Sequence, residues 1–136
     1  MKKNADILVI DDEQVIVDAV VKICALDNYS VDVALNAKTG LEKIANHHYP
    51  IIISDIMMPD GDGFEILEAV KKKREDSALI MATGFSTVEN AVNSLYKGAV
   101  SFIPKPFTVD ELLSTVSRVN NFQKIMGKQK LLIQQQ

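Results

Sequence analysis

The chain has 136 residues, enough for one domain with a single core and no covalent staples. Apolar residues make up 47% and charged residues 24%, and 15 basic against 18 acidic side chains leave a net charge of −3, so neither a nucleic-acid surface nor tethering to an anionic membrane has an electrostatic basis. A single cysteine, Cys24, excludes an internal disulfide framework, and no stretch approaches the roughly 18 uninterrupted apolar residues of a membrane span, the best run, residues 15–26, being broken by Asp18 and Lys22. With neither a signal peptide nor disulfides, the expected location is cytoplasmic.

Residues 6–10 (D-I-L-V-I) open the chain with a short apolar run that does not alternate, the pattern of a strand buried on both faces. Val17, Val20, Val21 and Cys24 then make one helical face by their i, i+3, i+4 spacing. A second strand is expected at 31–34 and a helix facing inward through Ala37, Leu41, Ile44 and Ala45. The third pair is a strand at 51–53 and a helix through Ile66, Leu67 and Val70. The fourth is a strand at 78–82 and a helix through Val88, Ala91, Val92 and Leu95. The fifth is a strand at 101–103 and a helix through Val109, Leu112, Leu113, Val116 and Val119. Asp62 followed by Glu65, Ser86 by Glu89 and Thr108 by Glu111 fit the capping-box pattern, and Gly98 suits a helix stop. A strand-helix unit repeated five times implies an α/β fold with a parallel sheet covered on both faces, whose function gathers at the carboxyl ends of the strands.

Residues 1–122 are expected to form this domain and residues 123–136 a helical extension or linker tail. Leu112, Val119, Met126 and Ile133 recur at intervals of seven, as in a coiled-coil seam, but Gln129 and Lys130 weaken the companion positions and Gly127 costs about 1 kcal/mol in a helix. The tail therefore reads either as a frayed end of the fifth helix or as the start of a linker helix.

Asp11-Asp12-Glu13 end the first strand, Asp55 the third and Thr83-Gly84 the fourth, and the fifth leads into Lys105-Pro106. One rim thus gathers carboxylates, a hydroxyl and an ammonium. Crowded carboxylates repel one another unless a cation intervenes, and a site rich in oxygen ligands suits Mg²⁺. Asp11, Asp12 and Asp55 supply such ligands, and a backbone carbonyl just past Asp55 supplies another. Lys105 is a point charge for an anionic oxygen, and Thr83 offers a hydroxyl donor. Phosphoryl transfer needs little beyond positioning and charge neutralisation, and a carboxylate serves as its nucleophile. Asp55 is the best candidate, standing alone while Asp11 and Asp12 form a pair.

Taken together, D-D-E at 11–13, D-I-M-M-P-D-G-D-G at 55–63, T-G at 83–84, G-A at 98–99 and K-P-F at 105–107 resemble the response regulator receiver domains of bacterial two-component systems, the fold of the chemotaxis regulator. The resemblance covers residues 6 to about 122. It implies a doubly wound (βα)5, flavodoxin-like fold with strand order 2-1-3-4-5. It implies that Asp55 accepts a phosphoryl group from a histidine kinase or phosphotransfer protein. Mg²⁺ would be held by Asp12, Asp55 and the Met57 carbonyl, with Asp11 acting mainly through a metal-bound water. Thr83 and Lys105 would each bind a phosphoryl oxygen. Thr83 and Phe102 would form the switch that remodels the surface of the fourth helix, fifth strand and fifth helix, for an output domain or a homodimer. Lys105-Pro106 matches a bond usually cis in this family. Ser101 stands where an acid is common, Pro104 adds stiffness, and Phe102 lacks a tyrosine hydroxyl, so a switch here is steric. Met57 and Phe85 flank the expected phosphoryl site and would control water entry.

Other readings fit less well. A calcium loop counted from Asp60 puts Phe64 at its fifth position and Lys71 at its twelfth, so it fails. An aspartyl hydrolase of the haloacid-dehalogenase type needs a second acid two residues after the nucleophile, where Met57 stands. A receiver-like module that is not phosphorylated usually lacks part of the acidic set or the lysine, and here all are present. Asp60-Gly61 suits a tight turn pre-set by Pro59, and Asp62 a helix N-cap. His47 and His48, adjacent on a helix end, point about 100° apart and do not share a metal easily.

Overall fold

The apolar runs pair into one parallel sheet. The computed structural model describes residues 5–74, 76–84 and 87–134, the side chain of Val88 excepted. In chain order the elements are β1 (Ile7–Ile10), α1 (Gln14–Ala25), β2 (Val31–Ala34), α2 (Ala37–Asn46), β3 (Ile51–Ser54), β4 (Met57–Met58), β5 (Gly61–Asp62), α3 (Gly63–Lys73), β6 (Ala78–Thr83), α4 (Val88–Tyr96), β7 (Ser101–Pro104) and α5 (Val109–Gln134). The main sheet runs β2-β1-β3-β6-β7, all neighbours parallel, so its five strands taken in sequence stand in the expected 2-1-3-4-5 order. The order reverses between β1 and β3, and that switch point is where such folds place their sites.

Continuous apolar strands reflect burial on both faces. Ile7, Val9, Ile51, Ile53 and Ile80 face a core closed by Val17, Val20 and Cys24 of α1 and Leu112, Val116 and Val119 of α5. Leu8, Ile10, Ile52, Leu79 and Met81 face the opposite core, closed by Ala37 and Ile44 of α2 and Ile66, Leu67 and Val70 of α3.

Most caps form as expected. The Asp62 carboxylate accepts from Glu65 N at 2.9 Å, and Thr108 and Glu111 exchange reciprocal bonds at 3.1 and 3.2 Å. Gly98 follows the end of α4 with φ +118°, a conformation that glycine adopts without strain. Ser86 lies outside the described residues, and the N-cap of α4 is Thr87, whose hydroxyl accepts from Asn90 N at 3.0 Å.

Three helix faces depart from expectation, the mildest being α5, where Val109 of the expected inward face is 44% exposed. Ala45 is exposed, and Gly40 takes the inward place in α2 because the approach to Ile10 leaves no room for a Cβ. In α4, Val92 and Leu95 are 57% and 49% exposed, while Ser94 is fully buried. The Ser94 hydroxyl donates to Asn90 O at 2.8 Å, so its polar atom is satisfied inside the helix and the small side chain packs inward. An apolar strip through Val92, Leu95, Tyr96 and Val100 is left facing out.

Helix α5 runs unbroken from Val109 to Gln134. Gln123 Nε2 donates to Pro50 O at 2.9 Å and to Asp76 O at 2.8 Å, tying the helix to the amino-terminal rim of the sheet. Leu112 and Val119 are consumed by the domain core, whereas Ile125, Met126, Leu131, Leu132 and Ile133 are exposed.

At the outer strand, the buried Tyr49 hydroxyl donates to Asp32 at 2.6 Å and Lys43 Nζ reaches the same carboxylate at 2.7 Å. Burial alone would raise the Asp32 carboxyl, but the Lys43, Tyr49 and Val33 N–H bonds outweigh it and hold it below its usual range. A lowered carboxylate stabilises the fold above its unfolded pKa and loses that contribution as pH falls through the folded value. Tyr49→Phe is expected to cost about 1 kcal/mol at neutral pH, with the partly exposed acid discounted, and less as Asp32 protonates. Urea midpoints at neutral pH and near pH 3 measure the difference.

Candidate functional site

Where β1 and β3 end, their ladder delivers two carboxylates side by side. Asp11 N donates to Ala34 O at 3.1 Å and Asp55 N to Ile10 O at 3.0 Å, so both backbones are set by the sheet. Asp11 folds back to accept from Glu13 N at 2.9 Å, while Asp12 turns outward. The Asp11 and Asp55 side chains are buried.

Lys105 follows β7. Its N–H donates to Thr83 O at 2.9 Å, and the Lys105–Pro106 peptide is cis. The Lys105 side chain is only 7% exposed, and its ammonium lies 2.7 Å from Asp11 Oδ2, 3.2 Å from Asp55 Oδ2 and 3.7 Å from Glu13 Oε1. For Asp11, burial raises the carboxyl above its usual range, and bonds from Lys105 and from the Glu13 N–H offset this only in part. For Lys105, burial works to lower the ammonium pKa, but the Asp11 hydrogen bond and the charges of Asp11 and Asp55 prevail and raise it.

Thr83 is fully buried at the end of β6. Phe102, opposite Met81 in the β6–β7 register, is half-buried against the core that α2 and α3 close. The Met57 side chain is exposed and its backbone pairs with Asp62. Phe85 lies outside the described residues. The structure thus brings Asp11, Asp55 and Lys105 into direct contact, sets Asp12 beside them and ends β6 at Thr83 on the same rim; Phe102 stands one strand away.

The residues present fit a divalent cation. One carboxylate oxygen from each of Asp11, Asp12 and Asp55 lies within 4.8 Å of the others. Among the described residues, Asp55 Oδ1 is a buried polar atom with no hydrogen-bond partner. An all-oxygen donor set with few protein ligands is the kind that Mg²⁺ prefers.

Two participants escaped the sequence reading, and a third, Glu13, was placed on the rim without a role. Glu13 reaches toward Lys105, and the D-D-E run itself was its signal. Asn36 caps α2 through Thr39 N at 2.8 Å, as an Asn just before an apolar helical pattern suggests. Asp60 accepts from Ala37 N at 2.9 Å and Lys38 N at 3.0 Å, a tertiary contact that no local pattern announces. The Lys38 and Ala37 N–H groups hold the Asp60 carboxyl below its usual range.

Among the described residues, no helix is long and apolar enough to cross a membrane. Residues 7–117 match the family model described as response regulator receiver domain. The transcriptional regulatory protein DltR of Streptococcus agalactiae serotype III (strain NEM316) is 36% identical over 110 residues, which cover 81% of this chain and 49% of that protein. The chain therefore spans about half the length of such relatives. The crystal structure of a CheY-like receiver domain protein from Methanospirillum hungatei JF-1 is similar at a TM-score of 0.83 and 36% identity, covering 88% of this chain and 96% of that one. The solution structure of the beryllofluoride-activated NtrC4 receiver domain dimer is similar at a TM-score of 0.81 and 34% identity, covering 86% and 97%. With the acidic cluster at the switch point and the family match over most of its length, the chain belongs to the response regulator receiver domains of two-component systems.

Proposed function

We propose that this domain accepts a phosphoryl group on Asp55 from the phosphohistidine of a partner kinase or phosphotransfer protein, and that it works as a signalling acceptor whose only chemistry is its own phosphorylation and dephosphorylation. The observation that carries this reading is the state of the Asp55 carboxylate. It is buried at the end of a central strand, with one oxygen on Lys105 and the other unpartnered beside two more acids.

An Asp55 oxygen attacks phosphorus, an O–P bond forms, the P–N bond to the donor histidine breaks, and its electron pair stays on the histidine nitrogen. Lys105 is already in the cleft, and on transfer its ammonium exchanges a carboxylate oxygen for a phosphoryl oxygen. The Thr83 hydroxyl donates to another. Asp11, Asp12, Asp55 and the Met57 carbonyl are the groups that would hold Mg²⁺, which neutralises charge on the transferring group when bound. Met57, exposed at the mouth, limits water entry and so hydrolysis.

The surface formed by α4, β7 and α5 is read as the output face. Its support is the outward apolar strip on α4 and Phe102, a half-buried ring that carries no hydroxyl. An output domain or a second copy is the expected partner, in line with the dimer described for the NtrC4 receiver. Residues 1–122 are assigned to the receiver and residues 123–136 to a helical extension or linker tail.

Incubation with acetyl phosphate and Mg²⁺, followed by intact-mass measurement and peptide mapping, tests the proposal. One added HPO₃ on the peptide containing Asp55, absent when Mg²⁺ is chelated before acetyl phosphate is added, is the expected result. No adduct under conditions that label another receiver, or an adduct on a different residue, would overturn it.

A further inference from the structure

We infer that Asp60, which takes no place in the acidic cluster, is a positioning residue that tethers the Met57–Asp62 turn to the first turn of α2 and thereby fixes the Met57 carbonyl for the metal. This inference rests on the Mg²⁺ reading of the site.

The turn has little to hold it by itself. Met57 pairs with Asp62 and Met58 with Gly61, a two-residue antiparallel ladder that is marginal when isolated. Its base is closed where Gly63 N donates to Ile56 O at 2.7 Å. Its tip is held from outside: Asp60 Oδ1 accepts from Ala37 N and Oδ2 from Lys38 N. The contact is close-fitting, since a Cβ on Gly61 would sit 3.0 Å from the Ala37 Cβ. Met58 adds an apolar anchor, buried in the same cluster as Ala34 and Ala37.

Helix α2 is a firm attachment point. Ala37 and Ile44 are in the core, and Lys43 ties the helix to Asp32 and to Val33 O. Its first turn is capped twice, and the two caps have different reach. Asn36 satisfies Thr39 N from the neighbouring residue, while Asp60 satisfies Ala37 N and Lys38 N from another segment of the chain. A carboxylate at a helix N-terminus is also favoured by the helix dipole. Losing the Asn36 cap weakens only the helix, whereas losing Asp60 frees the turn that carries Met57. Partners that orient metal ligands from outside typically change affinity by 10- to 100-fold when removed.

The test compares Asp60→Ala, Asp60→Asn and Asn36→Ala by Mg²⁺ titration calorimetry and by amide hydrogen exchange of residues 57–62 without metal. Asp60→Ala is expected to weaken Mg²⁺ about tenfold and to speed exchange through the turn. Asp60→Asn keeps one acceptor oxygen but sets its NH₂ against the second backbone N–H, so it falls between Asp60→Ala and wild type in both. Asn36→Ala lowers the melting temperature but leaves the Mg²⁺ Kd at the wild-type value. Wild-type affinity in Asp60→Ala, or equal weakening in Asn36→Ala, would each overturn the tether. A wild-type chain that takes up no Mg²⁺ would instead overturn the reading of the site, and the inference with it.

Discussion

Replacing Lys105 by methionine is expected to slow phosphoryl uptake from acetyl phosphate about a hundredfold or more, the loss seen when one preorganised donor to a developing anion is removed. The same change destabilises the fold, because Lys105 touches two buried carboxylates at 2.7 and 3.2 Å. Removing one partner of a buried ion pair leaves an uncompensated charge and costs about 3–5 kcal/mol. The loss is pH-dependent with a known sign. Asp11 already has its carboxyl raised by burial, and without Lys105 its principal offset is gone, so it rises further. A carboxyl raised above its unfolded value opposes folding at neutral pH, and the penalty fades as pH falls through the folded pKa. Mg²⁺ at the proposed site, which only the folded chain assembles, is expected to return part of the lost stability by mass action. Labelling time courses and urea melts at neutral and mildly acidic pH, with and without Mg²⁺, read all three effects. A labelling rate equal to wild type would remove Lys105 from the phosphoryl site. A stability loss independent of pH would mean that packing, and not charge, had been removed.

Much of this geometry was legible in the chain because a parallel sheet imposes a strong pattern. Ile51, Ile52 and Ile53 read as a strand because both faces of the sheet are covered, so alternation disappears. Once five strands are placed, the carboxyl-end rule puts Asp11, Asp12, Asp55, Thr83 and Lys105 on one rim, and the structure places them there. Their roles in phosphoryl transfer rest on the chemistry proposed for that rim. Apolar periodicity failed in α4, where it assumes that every apolar side chain faces the core. Val92 and Leu95 face out because the inward position belongs to Ser94, whose hydroxyl is satisfied by its own helix. Periodicity cannot separate a core stripe from an apolar strip kept for a partner.

Long-range polar contacts were invisible for a different reason. Asp60 and Ala37 are 23 positions apart, and neither residue type announces the other. The stretch S-D-I-M-M-P-D-G-D-G resolves into acids with separate neighbourhoods: Asp55 in the cleft, Asp60 on α2 and Asp62 on α3. The turn assigned to Asp60-Gly61 is there, but the Asp60 carboxylate binds outside it.

Gly63→Ala is expected to be among the most damaging small substitutions in the chain. Gly63 is buried at the start of α3, and its φ is not positive, so its need for glycine is spatial. A Cβ there would overlap the Asp55 carbonyl oxygen and stand 2.9 Å from Met81 Sδ and 3.1 Å from Ile56 Cα. Met81 is a flexible neighbour, but the other two atoms are backbone, and they belong to the segment that carries Asp55. Relief requires α3 to shift away from β3, which stretches the 2.7 Å bond from Gly63 N to Ile56 O. Overpacking of this kind costs about 3 kcal/mol or more, which lowers the melting temperature by on the order of 10 °C in a domain of this size. The damage also reaches the chemistry, since a displaced Asp55 loses its register with Lys105 and Asp11, and a misplacement near 1 Å slows transfer about a hundredfold. Gly127→Ala is the matched control. Nothing lies within 4 Å of a Cβ at that helical position, so alanine there is expected to add up to about 1 kcal/mol of helix stability and to leave labelling unchanged. Calorimetric melting and acetyl phosphate labelling of the two variants side by side decide the point. If Gly63→Ala melts and labels like wild type, α3 is free to move relative to β3, and the close approach is not what holds Asp55 in place.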